Sequence, residues 1–288
     1  MSLVRAAAIL AASSFPAVAY ADEPPRWFSL PFALRAPIAV DCVHADAGIA
    51  TEPATTIATM VGGSVKLAPD VAVLARVPWT HVSSDALSGS AFGNPLVGAL
   101  WTPEIAPGTR FGGFVGATAP VGQGGGDSPD QTARAVNKAA IYARSAMDNG
   151  YYAVDFTSIA VGADLAWSAG DVSVQGEATI AQLFRVRGTE PEDTRTNLTT
   201  GLNAGWRVLG PLAIEGEARY QRWLSTPAAV AAAPPTRDQM TVAAGARVDV
   251  ALGGGVRMRP GVGYVIAVDD PMAAAKERVV AVHVPFLF

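Results

Sequence analysis

Residues Glu277–Phe288 read ERVVAVHVPFLF. Val280, Val282, Val284, Phe286 and Phe288 recur at every second position, a spacing that puts all five side chains on one face of a β-strand. A strand in this place needs a hydrogen-bonding partner on each side. Closing a β-barrel against the first strand provides one, and a lipid surround accounts for an outward face that is wholly apolar.

The same alternation runs back through the chain. Residues 34–42 set Leu34, Ala36, Ile38 and Val40 against Arg35, Pro37, Ala39 and Asp41 and read as the first strand. Residues 55–67 and 71–82 flank the turn signal Pro69-Asp70, and Val71, Val73, Val77 and Trp79 oppose Arg76 and Thr80. The unit then repeats: 94–103 and 109–119 around Pro107-Gly108, 153–167 and 171–185 around Ala169-Gly170, 196–208 and 212–223 around Gly210-Pro211, 238–251 and 255–267 around Gly253-Gly254. With 277–288 this makes about twelve strands, near the length a tilted strand needs to cross a bilayer. The other connections (43–54, 83–93, 120–152, 186–195, 224–237 and 268–276) are longer and rich in Asp, Pro, Gly and Ala. Alternating short and long connections define an up-and-down antiparallel transmembrane barrel.

Aromatic residues test that register independently. On the outward face Trp101, Phe111, Trp167, Trp206, Phe286 and Phe288 fall at the short-turn end, and Trp79, Phe184 and Tyr220 toward the long-loop end. A membrane barrel needs two such girdles, one at each interface. A soluble barrel or sandwich also alternates but has no reason to sort Trp and Phe by end.

Composition agrees. Half of the 288 residues are hydrophobic, mean hydropathy is +0.27 and there are 29 glycines. Beyond the N-terminus no apolar run approaches the roughly 18 residues of a helical span. The formal charge of −4 gives no basic surface for nucleic acid. The start, MSLVR followed by AAAILAASSFPAV and Ala19-Tyr20-Ala21, has the layout of a secretory signal peptide cut after Ala21. A short lead over 22–33 and a barrel over 34–288 then follow, in the outer membrane of a Gram-negative cell. Cys42 is the single cysteine, so no internal disulfide forms. His44, His81 and His283 lie on different elements without metal-ligand spacing, and neither a metal nor another cofactor is expected.

The face opposite the apolar one carries Lys66, Arg76, Arg110, Asp164, Glu177, Arg185, Arg207, Glu215, Glu217, Arg219, Arg247, Asp249, Arg257 and Arg259. Charges are excluded from lipid, so this face lines the lumen, where they are hydrated or paired. With a turn centred on Gly253, Asp249 is expected opposite Arg257 and Arg247 opposite Arg259. Two readings are open: a salt-bridge network that stiffens the barrel, or a cation-rich lining that selects what passes. Some positions fit poorly. In 94–103 both faces are apolar, Gln182 falls outward, and Phe114 and Leu183 fall inward. The one long loop, 120–152, opens on a Gly-rich run and continues from Gln131 to Met147 without Gly or Pro. A short helix is expected there, either folded into the mouth as a constriction or left as a surface loop.

Three resemblances attach to particular residues. The tail ending in Phe288 resembles the C-terminal strand of bacterial outer-membrane β-barrels. Ala91-Phe92-Gly93-Asn94-Pro95 with Gly98, and Ala119-Pro120-Val121-Gly122, resemble the meta-pathway outer-membrane transporters of phenol degradation, with Asn94 in place of an acidic residue and Val121 in place of Thr. That resemblance implies uptake of small hydrophobic or aromatic compounds. His81-Val82-Ser83 with Asn94 resembles the His-x-Ser and downstream Asn of outer-membrane phospholipase, which implies a serine hydrolase facing the outer leaflet. Here Asn94 has the opposite parity from His81 and Ser83. The expectation is a non-enzymatic channel or transporter for small solutes, in contact with outer-membrane lipid, with the phospholipase-like hydrolase and a non-conducting structural barrel as alternatives.

Overall fold

The computed structural model describes residues 42–51, 54–127 and 129–288. They form one closed antiparallel barrel of twelve wall strands. Chain order gives β1 (Cys42–Ala50), β2 (Thr55–Ala68) and β3 (Val71–Ser83), then one wall strand in three pieces, β4 (Ser88–Phe92), β5 (Leu96–Trp101) and β6 (Glu104–Ala106). Next come β7 (Thr109–Thr118), β8 (Phe156–Ala169), β9 (Val172–Arg185), β10 (Thr194–Leu209) and β11 (Leu212–Trp223). The last strands are β12 (Asp238–Val248) with β13 (Val250–Gly253), β14 (Val256–Met258) with β15 (Gly261–Ala267), and β16 (Arg278–Leu287). The ring closes where β1 pairs with β16 over nine residues, from Cys42 opposite Leu287 to Ala50 opposite Val279.

The tail behaves as its alternation requires. On β16, Val279, Ala281 and His283 are buried inside, while Val280 and Val282 face out. Outward residues such as Val97, Val161 and Leu202 are more than half exposed. In water that apolar surface would be unfavourable by about 25 cal/mol per Å²; in a bilayer it meets hydrocarbon. Trp101, Trp167, Trp206 and Phe288 are exposed at the short-turn end, and Phe184 at the long-loop end. Trp101 and Phe111 meet edge to face at 6.0 Å.

The structure corrects three boundaries. The strand that opens the described wall is Cys42–Ala50, not 34–42, of which all but Cys42 lies outside the described residues, as do the signal peptide and the lead. Its Ala- and Gly-rich sequence reads as part of a 43–54 loop, yet it is paired on both sides, with β2 and β16. Residues 88–92, expected in a loop, continue along β3 as β4, because Trp79 opposite Phe92 through Ser83 opposite Ser88 extend the ladder. In the last hairpin the turn spans Gly253, Gly254 and Gly255, all at positive φ, with a bulge between Ala251 and Gly253. The Gly253–Val256 pair closes the turn over Gly254-Gly255 instead of centring it on Gly253, and this slides the register, so Arg247 lies opposite Gly261 instead of Arg259.

Candidate functional site

The connection between β7 and β8, residues 119–155, folds into the lumen. Its helix α1 (Gln131–Ala143) starts at Asp130, whose side chain accepts from the Ala133 backbone N–H at 3.1 Å. Expected to run to Met147, the helix stops at Ala143 because Ser145 and Ala146 adopt left-handed backbone, φ 56° and 57°. Two such non-glycine residues cost about 1 kcal/mol or more each and persist only where the surroundings impose them. A single turn, α2 (Asn149–Tyr152), leads into β8.

One stripe of α1 is buried: Ala133, Val136, Asn137, Ala140 and Ala143. This is the i, i+3, i+4, i+7 pattern of a helix packed on one side. Ala133 and Val136 pack on Val82 and Ala91 of β3 and β4, and the polar member, Asn137, donates to the carbonyls of Phe92 (3.2 Å) and Gln123 (2.9 Å). Ala140, Ala143, Tyr151 and Tyr152 join a cluster with Met60, Leu74, Leu96, Leu100, Phe114 and Leu183 from the wall's inner face. Leu96, Leu100, Phe114 and Leu183, apolar residues that fit the two-faced pattern poorly, are thus the ones on which the loop sits. Phe114 lies flat across Gly98 and Gly116, where an added Cβ would come within 2.6 and 2.4 Å of its ring.

Asn94 fixes the loop. The wall strand breaks at Gly93-Asn94-Pro95, and the Asn94 backbone N–H donates to the Tyr151 carbonyl at 2.6 Å. Its fully buried side chain donates to the carbonyls of Ala153 (2.9 Å) and Phe156 (3.0 Å) and accepts from the Gly122 N–H (2.9 Å). The two fragments that resemble the meta-pathway transporters therefore meet through one amide. Arg187 assists, donating to the Val154 carbonyl from Nε at 3.0 Å and from Nη2 at 2.8 Å, and also from Nη2 to the Gly122 carbonyl.

Deeper, Arg144 Nε and Asp148 Oδ2 form a fully buried pair at 2.7 Å. The charges of Arg76 on β3 and Arg219 on β11 also act on Asp148. Tyr151, also beside Arg76, is pushed up to about 12 by burial and stays a neutral phenol.

The short-turn half of the lumen is built differently, from side chains on rigid strands. Asp249 accepts from Arg257 (Nη2–Oδ2 2.5 Å) and from Arg259 (Nε–Oδ2 2.9 Å). Arg247, displaced from Arg259 by the register slide, pairs across to Glu215 at 3.1 Å. Glu217 pairs with Arg219 at 2.5 Å, Asp164 accepts from Gln175, and Arg110 lies 3.7 Å from Glu104. Glu177, Lys66 and Arg207 are half-buried on the same inner face. Arg185 sits at the opposite, long-loop end, donating to Asp193 and to the Gly188 carbonyl.

The residues that resemble a phospholipase site are split. His81 faces outward, stacked on Trp79 with ring centroids 6.1 Å apart, and its Nδ1 is 2.9 Å from Ser90 Oγ. Ser83 is exposed two residues along the same strand, while Asn94 is buried within the barrel. Sequence reasoning also passed over Arg134, Arg144, Asp148, Asp155, Arg187 and Arg195, which hold the loop. Their signal was charge concentrated in and opposite one long connection.

The fold defines a class, the closed twelve-stranded transmembrane β-barrel. The chain matches no family model and no curated protein. Among solved structures it is similar to the NanC porin, with TM-score 0.53, 6% identity, and 85% of this chain and 98% of that chain covered. It is also similar to the KdgM porin in complex with disordered oligogalacturonate, with TM-score 0.50, 10% identity, and 86% and 99% covered.

Proposed function

We propose that the protein is an outer-membrane channel or transporter for small solutes, closed at rest by residues 119–155. The observation that carries this reading is a loop standing in a charged lumen, held there by hydrogen bonds, the Arg134–Glu190 ion pair and small-residue packing, with two strained residues at its turn. A barrel whose only task is structural has no need of a strained insert. Wall and loop form a pathway with a removable obstruction, as channels with gated pores require. The porin fold likeness supports the class of function. The meta-pathway resemblance supports hydrophobic or aromatic compounds as cargo, and the reading carries with it outer-membrane lipid around the barrel.

The test is planar-bilayer conductance of the refolded full chain beside a variant in which residues 127–147 are replaced by a short Gly-Ser linker. The expected result is a nearly silent parent and a variant whose conductance is about tenfold higher or more. A heat-modifiable, folded variant that stays as silent as the parent overturns the reading.

A further inference from the structure

Where the inserted loop meets the wall at the long-loop end there is a cavity of about 90 Å³. Its walls combine Phe156 and Trp223 from β8 and β11 with Ile141 from α1 and Tyr152 from α2, a largely apolar surface with three flat rings. Around them stand three cations, Arg134, Lys138 and Arg195, and two acids, Asp155 and Glu190.

The acids are already used. Asp155 Oδ2 accepts from Arg134 Nη2 at 2.5 Å and its Oδ1 from the Gly126 N–H at 2.7 Å. Glu190 Oε1 accepts from Arg134 Nη1 at 2.8 Å and its Oε2 from Arg195 Nη2 at 2.9 Å. Arg134 spends its remaining Nε on the Gly124 carbonyl at 2.9 Å. Arg195 lies 4.3 Å above the Phe156 ring and gives its Nη2 to Glu192 as well. Lys138 is left: exposed on α1, it is in no ion pair among the described residues. Asn149 lines the same cavity, and its amide Nδ2 is buried without a hydrogen-bond partner. With Glu192 on Arg195 the cations and acids about the cavity balance, and the lining offers one unpaired ammonium, Lys138, buried unpartnered donors at Asn149 Nδ2, Arg195 Nε and the Tyr152 hydroxyl, and an apolar, aromatic floor, all asking for an acceptor group on a flat apolar body.

We infer that this cavity is a binding site for a small organic monoanion, a carboxylate carried on a short aromatic or apolar body, with Lys138 and Asn149 taking the carboxylate and Phe156 and Trp223 the body. A volume below the roughly 150 Å³ that holds a whole benzene admits the ring part-way, leaving the charged end toward the open mouth and Lys138. The site is half loop and half wall, so a bound anion sits on the seam that must part if the channel opens. As a route of entry the site rests on the channel reading; as a binding site it does not.

The experiment is calorimetric titration of the refolded full chain in detergent with benzoate, and with benzyl alcohol and acetate as probes lacking the charge or the ring. Benzoate is expected to bind more tightly than either. Lys138→Gln, an exposed substitution that leaves the fold intact, is expected to weaken benzoate about fivefold and leave benzyl alcohol unchanged. Trp223→Leu is expected to weaken both aromatic probes. Benzoate bound no better than benzyl alcohol, or equally well by Lys138→Gln, overturns the site. Conductance of the loop-excised variant is read separately: charge-dependent benzoate binding by a barrel that never conducts would sink the channel and keep the site, and conduction without such binding would do the reverse.

Discussion

The two halves of the lumen are filled by different means. At the short-turn end, charges on neighbouring strands answer one another side chain to side chain, as Asp249 does with Arg257 and Arg259 and Glu215 with Arg247. Toward the long-loop end, beside ion pairs such as Arg134–Glu190, side chains also hold backbone: Asn94, Asn137 and Arg187 bind carbonyls and an amide of a segment with no strand partner of its own. The first arrangement stiffens a wall already fixed by its ladder. The second positions something that the ladder leaves unfixed, so the same number of lost contacts has different consequences in the two places.

The sharpest test of that contrast is Arg144→Ala. It strips one partner from a pair with no solvent exposure, and removing half of such a pair costs about 3–5 kcal/mol. Amide exchange across 119–155 is expected to speed up strongly while the wall strands keep their protection. Removing Asp148 as well should restore part of the loss. Exchange that accelerates evenly around the ring would erase the distinction between the halves.

Asn94→Ala comes next. It orphans the Gly122 N–H and two carbonyls, each worth about 1 kcal/mol or more when buried. Limited proteolysis should nick the loop of this variant while the barrel still migrates as a folded species. Asp249→Asn probes the other half, and there the effect is smaller, about 1 kcal/mol or less, because Arg257 is 46% exposed and solvent screens it. The melting temperature should move little. In the loop-excised background, however, releasing Arg257 and Arg259 should shift reversal potentials toward anions; an unmoved selectivity would mean that the lower half only braces the wall.

The smallest expected effect is on pH. Glu277, in the connection before β16, is buried, and burial pushes its carboxyl up to about 7 from an ordinary 4.5. Between those values the folded chain holds a proton that the unfolded chain has released. Stability is therefore full below the unfolded value and is lost as pH rises through about 7. Tyr142 on α1 feels the Glu277 charge, so the ends of 268–277 and of α1 should exchange faster at about pH 8 than at about pH 5.5. Glu277→Gln should flatten that difference, and a slope that survives it would assign the titration elsewhere.

The wall was legible in the sequence because a strand with lipid on one side has to alternate: β16 and the aromatic ends follow from spacing alone. Where composition does not alternate strongly, as in Cys42–Ala50, only the pairing with β2 and β16 reveals the strand. The insert was legible only as misfits. Leu96, Leu100, Phe114 and Leu183 point inward because α1 and its turn cover them, and nothing in their local pattern says what covers them. The ion-pair partners in the last hairpin depend on where its turn sits, over Gly254-Gly255 and not on Gly253, which moves Arg247 away from Arg259 and leaves it paired with Glu215. The loop's latch is the least local feature of all, since Asn94 reaches residues 28 to 62 positions away.

The break at Gly93-Asn94-Pro95 makes the obstruction part of the vessel. Gly93 and Pro95 stay bonded to the neighbouring strands through Pro78 and Ala119, but the Asn94 N–H donates to the Tyr151 carbonyl and the Phe92 carbonyl accepts from the Gln123 N–H, both on the segment inside. Wholesale ejection would leave backbone groups of the wall itself unpaired at membrane depth, which a bilayer does not tolerate. If the insert opens as proposed, a hinged door fits better than a cork: α1 would swing, while residues 148–156 stay mortised to the frame.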